Sequence, residues 1–214
     1  MTQMSEQMVI DKLLHKKKSK FDKRHPRFEN CDLSNLNFDA ISFKQVTFID
    51  CDLSNVSFKE CNMVGVLFHG CRLKNADFTN AHCAESAFVS CELVGSRFKN
   101  ADLMKAYFHY CEAKNIDARQ ANMHDSHLEE TNVSFSNFTD ANLTSAYCKE
   151  VSFFGCNLTE ASFAFSTLND IDFRFVNCYK TNIRNAYRHC EGLTLLFYRN
   201  IDLTGTYIRD AICA

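Results

Sequence analysis

The sequence predicts an all-β solenoid of four-sided coils, preceded by a short helix. Three observations carry that expectation: a large apolar residue at every fifth position, a small apolar residue two positions earlier, and recurrence of whole units every twenty residues. A five-residue step turns an α-helix by about 500°, roughly 140° off its starting face, so no helix keeps such a pattern on one side. Strand alternation places positions i−2 and i together, but an odd repeat would flip the next unit outward. The chain must therefore turn a corner once per unit.

The N-terminal segment stands apart in charge. Residues 1–30 hold eight Lys/Arg against four acids, net +4, and the remaining residues hold sixteen against twenty-two, net −6. Met8, Val9, Leu13 and Leu14 sit at helix-compatible spacing before the basic run from His15 to Lys20. This predicts an amphipathic helix placed to cap the first coil, with the basic run as its solvated face. Binding of phosphate backbone, anionic lipid or an import receptor is the competing reading of that run. Pro26 then enforces an extended entry, and residues 1–27 form the leader of a solenoid over 28–214.

From Phe28 the five-step register runs to Ile208, 37 units without insertion or deletion, and only Arg188 breaks its apolar character. An unpaired guanidinium at a centre predicts local distortion near residues 186–192. Fourteen of the twenty Phe occupy centres. At Cys31, Cys51, Cys71, Cys91 and Cys111 the same kind of unit returns every twenty residues, so four sides close one circuit. Those units end on Asn35, Asn55, Asn75, Gly95 and Asn115, residue types that tolerate positive φ at a tight turn.

Units such as Ala101-Asp102-Leu103, Ala141-Asn142-Leu143 and Cys51-Asp52-Leu53 resemble the pentapeptide-repeat family, and the resemblance covers about 85% of the chain. It implies a right-handed quadrilateral β-helix. About nine coils at ~4.8 Å would make a rod on the order of 43 Å long. Phe38, Phe58, Phe78 and Phe98 should form one interior column, and Phe28, Phe48, Phe68, Phe88 and Phe108 another. Each coil buries its centres against the next, which leaves the ends as the weak points. The segment from Tyr207 to Ala214 ends almost in register, so the last coil is expected to fray or to be covered by another subunit.

No apolar stretch approaches the roughly 18 residues of a membrane span and the first thirty residues lack a secretory apolar core, so the expected location is the cytoplasm. The twelve cysteines are accordingly expected as thiols. A straight column of inward Cys does not converge tetrahedrally, which disfavours zinc and favours buried filler. His124 and His127 form an H-x-x-H with no Cys partner at zinc spacing and are expected on the surface. No nucleophile elbow, P-loop, dinucleotide fingerprint or H-E-x-x-H is present, and neither catalysis, a cofactor nor a metal is expected.

Aromatic residues outside the centres are the informative anomaly. Phe135, Phe154, Phe165, Phe175 and Phe197 all fall after residue 130 at outward or corner registers. Phe135, Phe154, Phe175 and Leu195 share one side, and Tyr107, Tyr147, Tyr187 and Tyr207 each precede a centre on another. Exposed aromatic stripes on a rod point to a protein interface. The expected function is therefore a non-enzymatic interaction rod, self-associating through its C-terminal coils as one option. The resemblance implies a second option, because some family members imitate duplex DNA, bind type II topoisomerases such as gyrase and confer quinolone resistance. This chain departs from that group in lacking Trp, interrupting loops and a C-terminal dimerisation helix, and its mild acidity suits such mimicry poorly. A third option by the same resemblance is a secreted bacterial effector.

Overall fold

The computed structural model describes residues 2–15, 25–189 and 207–209. Its centre is a ten-stranded parallel sheet forming the first side of the solenoid. The strands are β2 (Arg27–Glu29), β4 (Thr47–Ile49), β5 (Leu67–His69), β6 (Ala87–Val89), β7 (Tyr107–His109), β8 (His127–Glu129), β9 (Tyr147–Lys149), β10 (Thr167–Asn169), β11 (Tyr187–His189) and β12 (Tyr207–Arg209). Each pairs with the next at an offset of twenty residues, as in Phe48↔Phe68 and Phe88↔Phe108. The other three sides pair mostly through single bridges, exemplified by Asp52↔Arg72, Ser57↔Asp77 and Asn62↔His82. We call them the second, third and fourth sides, with centres such as Leu53, Phe58 and Met63.

From Phe28 to Arg188 the described chain makes eight circuits; the ninth passes through residues outside the description. Among the described residues the coil count is thus slightly below the nine expected. β11 pairs with both neighbours in unbroken register, Leu168↔Arg188↔Ile208, so the distortion expected at Arg188 is not present in the strand itself. Residues 190–192 lie outside the description.

Every fifth residue from Asn30 to Asn185 has φ between 48° and 72°, and this is how the chain turns. Across the corners that close the third and fourth sides, and several that close the second, an N–H closes back on a centre carbonyl, as from Val46 to Phe43 at 2.8 Å and Ala76 to Leu73 at 3.0 Å. Asn and Gly adopt this backbone at little cost, and Asn at equivalent corners adds a ladder, Asn75 to Asn55 to Asn35, at 3.2 and 3.1 Å.

Inside, the apolar centres stack as the register predicts. Phe58, Phe78 and Phe98 are fully buried, with ring centroids 5.2 and 4.8 Å apart. The neighbouring column, Phe68, Phe88 and Phe108, stacks at 5.0 and 4.8 Å and meets the first edge-to-face, for example Phe78 against Phe88 at 5.8 Å and 89°. Such pairs add to the area each ring removes from water.

The N-terminal end carries an element that the sequence did not announce. β1 (Thr2–Gln3) pairs in parallel with β3 (Cys31–Asp32) and adds a rung to the first coil. Helix α1 (Glu6–His15) follows, capped by Ser5, whose Oγ accepts from the Met8 N–H at 3.3 Å. Val9 is fully buried in the core as the capping role requires, whereas Met8 is 51% exposed and does not belong to the buried face. Among the described residues no helix is long and apolar enough to cross a membrane.

Candidate interaction surface

Phe135 and Phe175 are corner residues with φ of 62° and 59°, on the edge between the second and third sides. The left-handed region penalises a Cβ-bearing residue, and no burial offsets the cost here, because Phe135 is 57% and Phe175 77% exposed. Phe154, just before the intervening corner, is half-buried and links them. Its ring meets Phe135 edge-to-face at 5.4 Å and Phe175 at 5.2 Å. The corner between the two is Gly155; a Cβ there would lie 2.7 Å from the Phe135 ring, so the missing side chain is what lets that ring lie across the rung. Arg174 stands over Phe154 at 5.5 Å while donating two bonds of 2.9 Å to Asp172. The structure thus joins three of the four residues expected in the strip; Leu195, and Phe197 beyond it, lie outside the described residues.

The tyrosine line is arranged differently from expectation. Tyr107 and Tyr147 are half-buried, and His127 fills the rung between them at ring distances of 6.2 and 5.7 Å. Tyr107 also contacts Glu129 at 3.5 Å, and Lys149 bonds the other oxygen of that carboxylate at 3.1 Å, so this part of the row is a tethered mixed ladder rather than a free aromatic stripe. Hydrogen bonding by Lys149 holds the Glu129 carboxyl below its usual range. Tyr187 is exposed in β11, and Tyr207 continues the backbone register in β12. Among the described residues, three further exposed aromatics lie elsewhere: Tyr110, Phe165 and Tyr179. Tyr110 and Tyr179 were readable from their registers after a centre but fall outside both rows.

The cysteine column is buried and reduced. Its sulfurs donate to carbonyls of their own and the preceding rung, as Cys51 does to Phe28 at 3.4 Å and Ile49 at 3.3 Å. Elsewhere, burial pushes the thiols of Cys61, Cys148 and Cys156 up to about 12. His124 faces Asp125 at 3.3 Å, and among the described residues no three His, Cys, Asp or Glu side chains group as metal ligands. Charges on the outer faces pair within and between rungs. Arg97 and Lys59 share Asp77 at 3.4 and 3.5 Å, Arg119 meets Asp117 at 2.6 Å, and Lys180 meets Glu160 at 3.1 Å.

A search of curated proteins finds no match to the sequence. Among solved structures, a trypsin-treated form of QnrB1, a plasmid-mediated fluoroquinolone resistance protein, is similar at 21% identity and a TM-score of 0.57, over 86% of this chain and 92% of that one. Full-length QnrB1 is similar at 23% identity and a TM-score of 0.54, over 84% and 94%. HetL, a pentapeptide repeat protein involved in heterocyst differentiation regulation from the cyanobacterium Nostoc sp. strain PCC 7120, aligns at 17% identity and a TM-score of 0.37, over 95% and 94%. At these identities the likeness to QnrB1 concerns the fold. Residues 24–98 match the family described as pentapeptide repeat region, and residues 106–144, 121–159 and 152–187 match pentapeptide repeats (8 copies). With the four-sided coils, the corner chemistry and these matches in agreement, the chain belongs to the pentapeptide-repeat family.

Proposed function

We propose that this protein is a non-enzymatic scaffold that binds a protein partner through the edge carrying Phe135, Phe154 and Phe175. The observation behind this reading is the placement of two Phe in left-handed corner backbone with their rings in water, on an edge whose other described corners are all Asn or Gly. Such residues cost conformational free energy and solubility and return little to the core, which is the pattern of a surface kept for contact. Affinity capture with wild type and with a Phe135→Asn/Phe175→Asn double variant tests it. Proteins retained by the wild type and lost by the variant are expected; identical captured sets would sink the reading.

Fold likeness to QnrB1, described as a plasmid-mediated fluoroquinolone resistance protein, motivates a second reading, gyrase binding with protection from quinolones. The paired charges described above weigh against duplex mimicry, since DNA presents one unneutralised phosphate per ~1.7 Å. A gyrase supercoiling assay with and without fluoroquinolone decides it: no change at micromolar protein removes this reading.

A further inference from the structure

Along the edge between the second and third sides the surface changes character. In the first half every rung has charged flanking positions, including Arg72, Glu92 and Glu112 on the second side and Asp77, Arg97 and Arg119 on the third. On the rungs 132–139 and 152–159 no flanking position is charged, and Asn132, Ser134, Ser152, Asn137 and Asn157 stand there instead. On the next rung Arg174 and Asp172 neutralise each other. Loss of charge together with gain of aromatic residues marks the centre of an interface.

We propose that this uncharged edge docks side-on against the same edge of a second copy of the chain, antiparallel, about a two-fold axis at the Gly155 rung. The inference rests on the reading of this edge as the contact surface and names its occupant. The corner row reads Phe135, Gly155, Phe175, which is the same in both directions. An antiparallel two-fold therefore sets Phe135 of one copy beside Phe175 of the other, the self-complementary arrangement an isologous contact needs. Gly155 lets the Phe135 ring lie down over the middle rung, so no side chain stands upright at the axis. A patch that meets itself also meets its own charges: the axial rung carries none, and on either side of it the uncharged Phe135 rung meets a Phe175 rung whose Arg174 and Asp172 already neutralise each other.

Area sets the strength. With about 200 Å² for a whole Phe side chain, exposures of 57% and 77% offer roughly 270 Å² of apolar surface per copy, a third of the ~800 Å² per partner in a standard interface. The pair is thus a transient dimer that forms at high micromolar concentration and separates on dilution. Side-on docking leaves both ends of the rod free, unlike pairing through the last coil.

Sedimentation equilibrium from about 1 μM to about 300 μM reads the association, with the Phe135→Asn/Phe175→Asn variant as comparison. Asn occupies equivalent corners at Asn35, Asn55, Asn75 and Asn115, so the variant keeps the fold, checked by circular dichroism. A photo-crosslinker in place of Phe135, in a mixture of ¹⁴N- and ¹⁵N-labelled chains, maps the contact by mass spectrometry. Expected are a concentration-dependent dimer, at least tenfold weaker in the variant, and hybrid-isotope crosslinks falling on residues 172–179. A wild type that stays monomeric throughout, an undiminished dimer in the variant, or crosslinks elsewhere would each overturn the proposal. If the monomeric wild type still captures a protein that the variant loses, the contact-surface reading stands with a foreign occupant; if it does not, both fall.

Discussion

Truncating Phe78 to Ala should cost much more than truncating Phe138, although both rings are fully buried centres of the same side. Phe78 stacks on Phe58 at 5.2 Å and on Phe98 at 4.8 Å, and meets Phe68 and Phe88 edge-to-face at 6.0 and 5.8 Å. Phe138 has Ala118 and Leu158 below and above it in the column and meets one ring, Phe153, at 5.6 Å. Removal of a buried Phe costs about 3–5 kcal/mol through lost transfer energy and the cavity left behind. Each aromatic pair adds at least about 0.5 kcal/mol, so three more pairs put the excess for Phe78→Ala at about 1.5 kcal/mol. Guanidinium unfolding followed by circular dichroism measures both variants against wild type, with comparison restricted to transitions of unchanged m. Equal losses, or a larger loss for Phe138→Ala, would refute the claim that stacked columns hold the rod together.

Gly155→Ala should destabilise by about 1 kcal/mol, from a φ of 67° and the collision with the Phe135 ring, and a Phe135→Asn background should remove the steric part; a double-mutant cycle in thermal unfolding shows the coupling. Hydrogen bonds from Arg119 hold the Asp117 carboxyl below its usual range, and those from Arg174 do the same for Asp172. A depressed carboxyl contributes stability above the unfolded value of ~3.9 and loses it as pH falls toward the folded value, so the urea midpoint should drop below about pH 4 and drop less in an Asp117→Asn/Asp172→Asn variant. Buried thiols raised to about 12, such as Cys61 and Cys148, should stay unreactive to a disulfide reagent at about pH 8 until the protein unfolds, which a thiol count with and without denaturant measures.

Much of the architecture was legible because each residue's role depends on its phase alone. The step of five located the Phe columns, and the ends of the cysteine-led units located the left-handed corners at Asn35, Asn55, Asn75, Gly95 and Asn115. The rung added by β1 was not legible, since Thr2 and Gln3 carry no periodic signal and act through backbone pairing to Cys31 and Asp32. Met8 misled because helical spacing gives a face but not which residue of it reaches the core; Val9 does. In the surface rows, Phe135, Phe154 and Phe175 were readable as one strip. The interleaving of His127 between Tyr107 and Tyr147, and the tether from Glu129, depend on side chains one circuit apart and emerge only when the rungs are stacked.

A register without insertions over eight circuits also makes length a quantised property. Excising residues 71–90 would bring Phe58 beneath Phe98, Phe68 beneath Phe108, Leu53 beneath Leu93 and Met63 beneath Leu103, each pair on the side it already shares. A five-residue excision would slide aromatic columns over aliphatic ones, and a one-residue excision would turn every later centre outward. The rod can therefore grow or shrink by whole circuits of about 4.8 Å and by nothing smaller, which makes it a molecular ruler graduated in units of twenty residues.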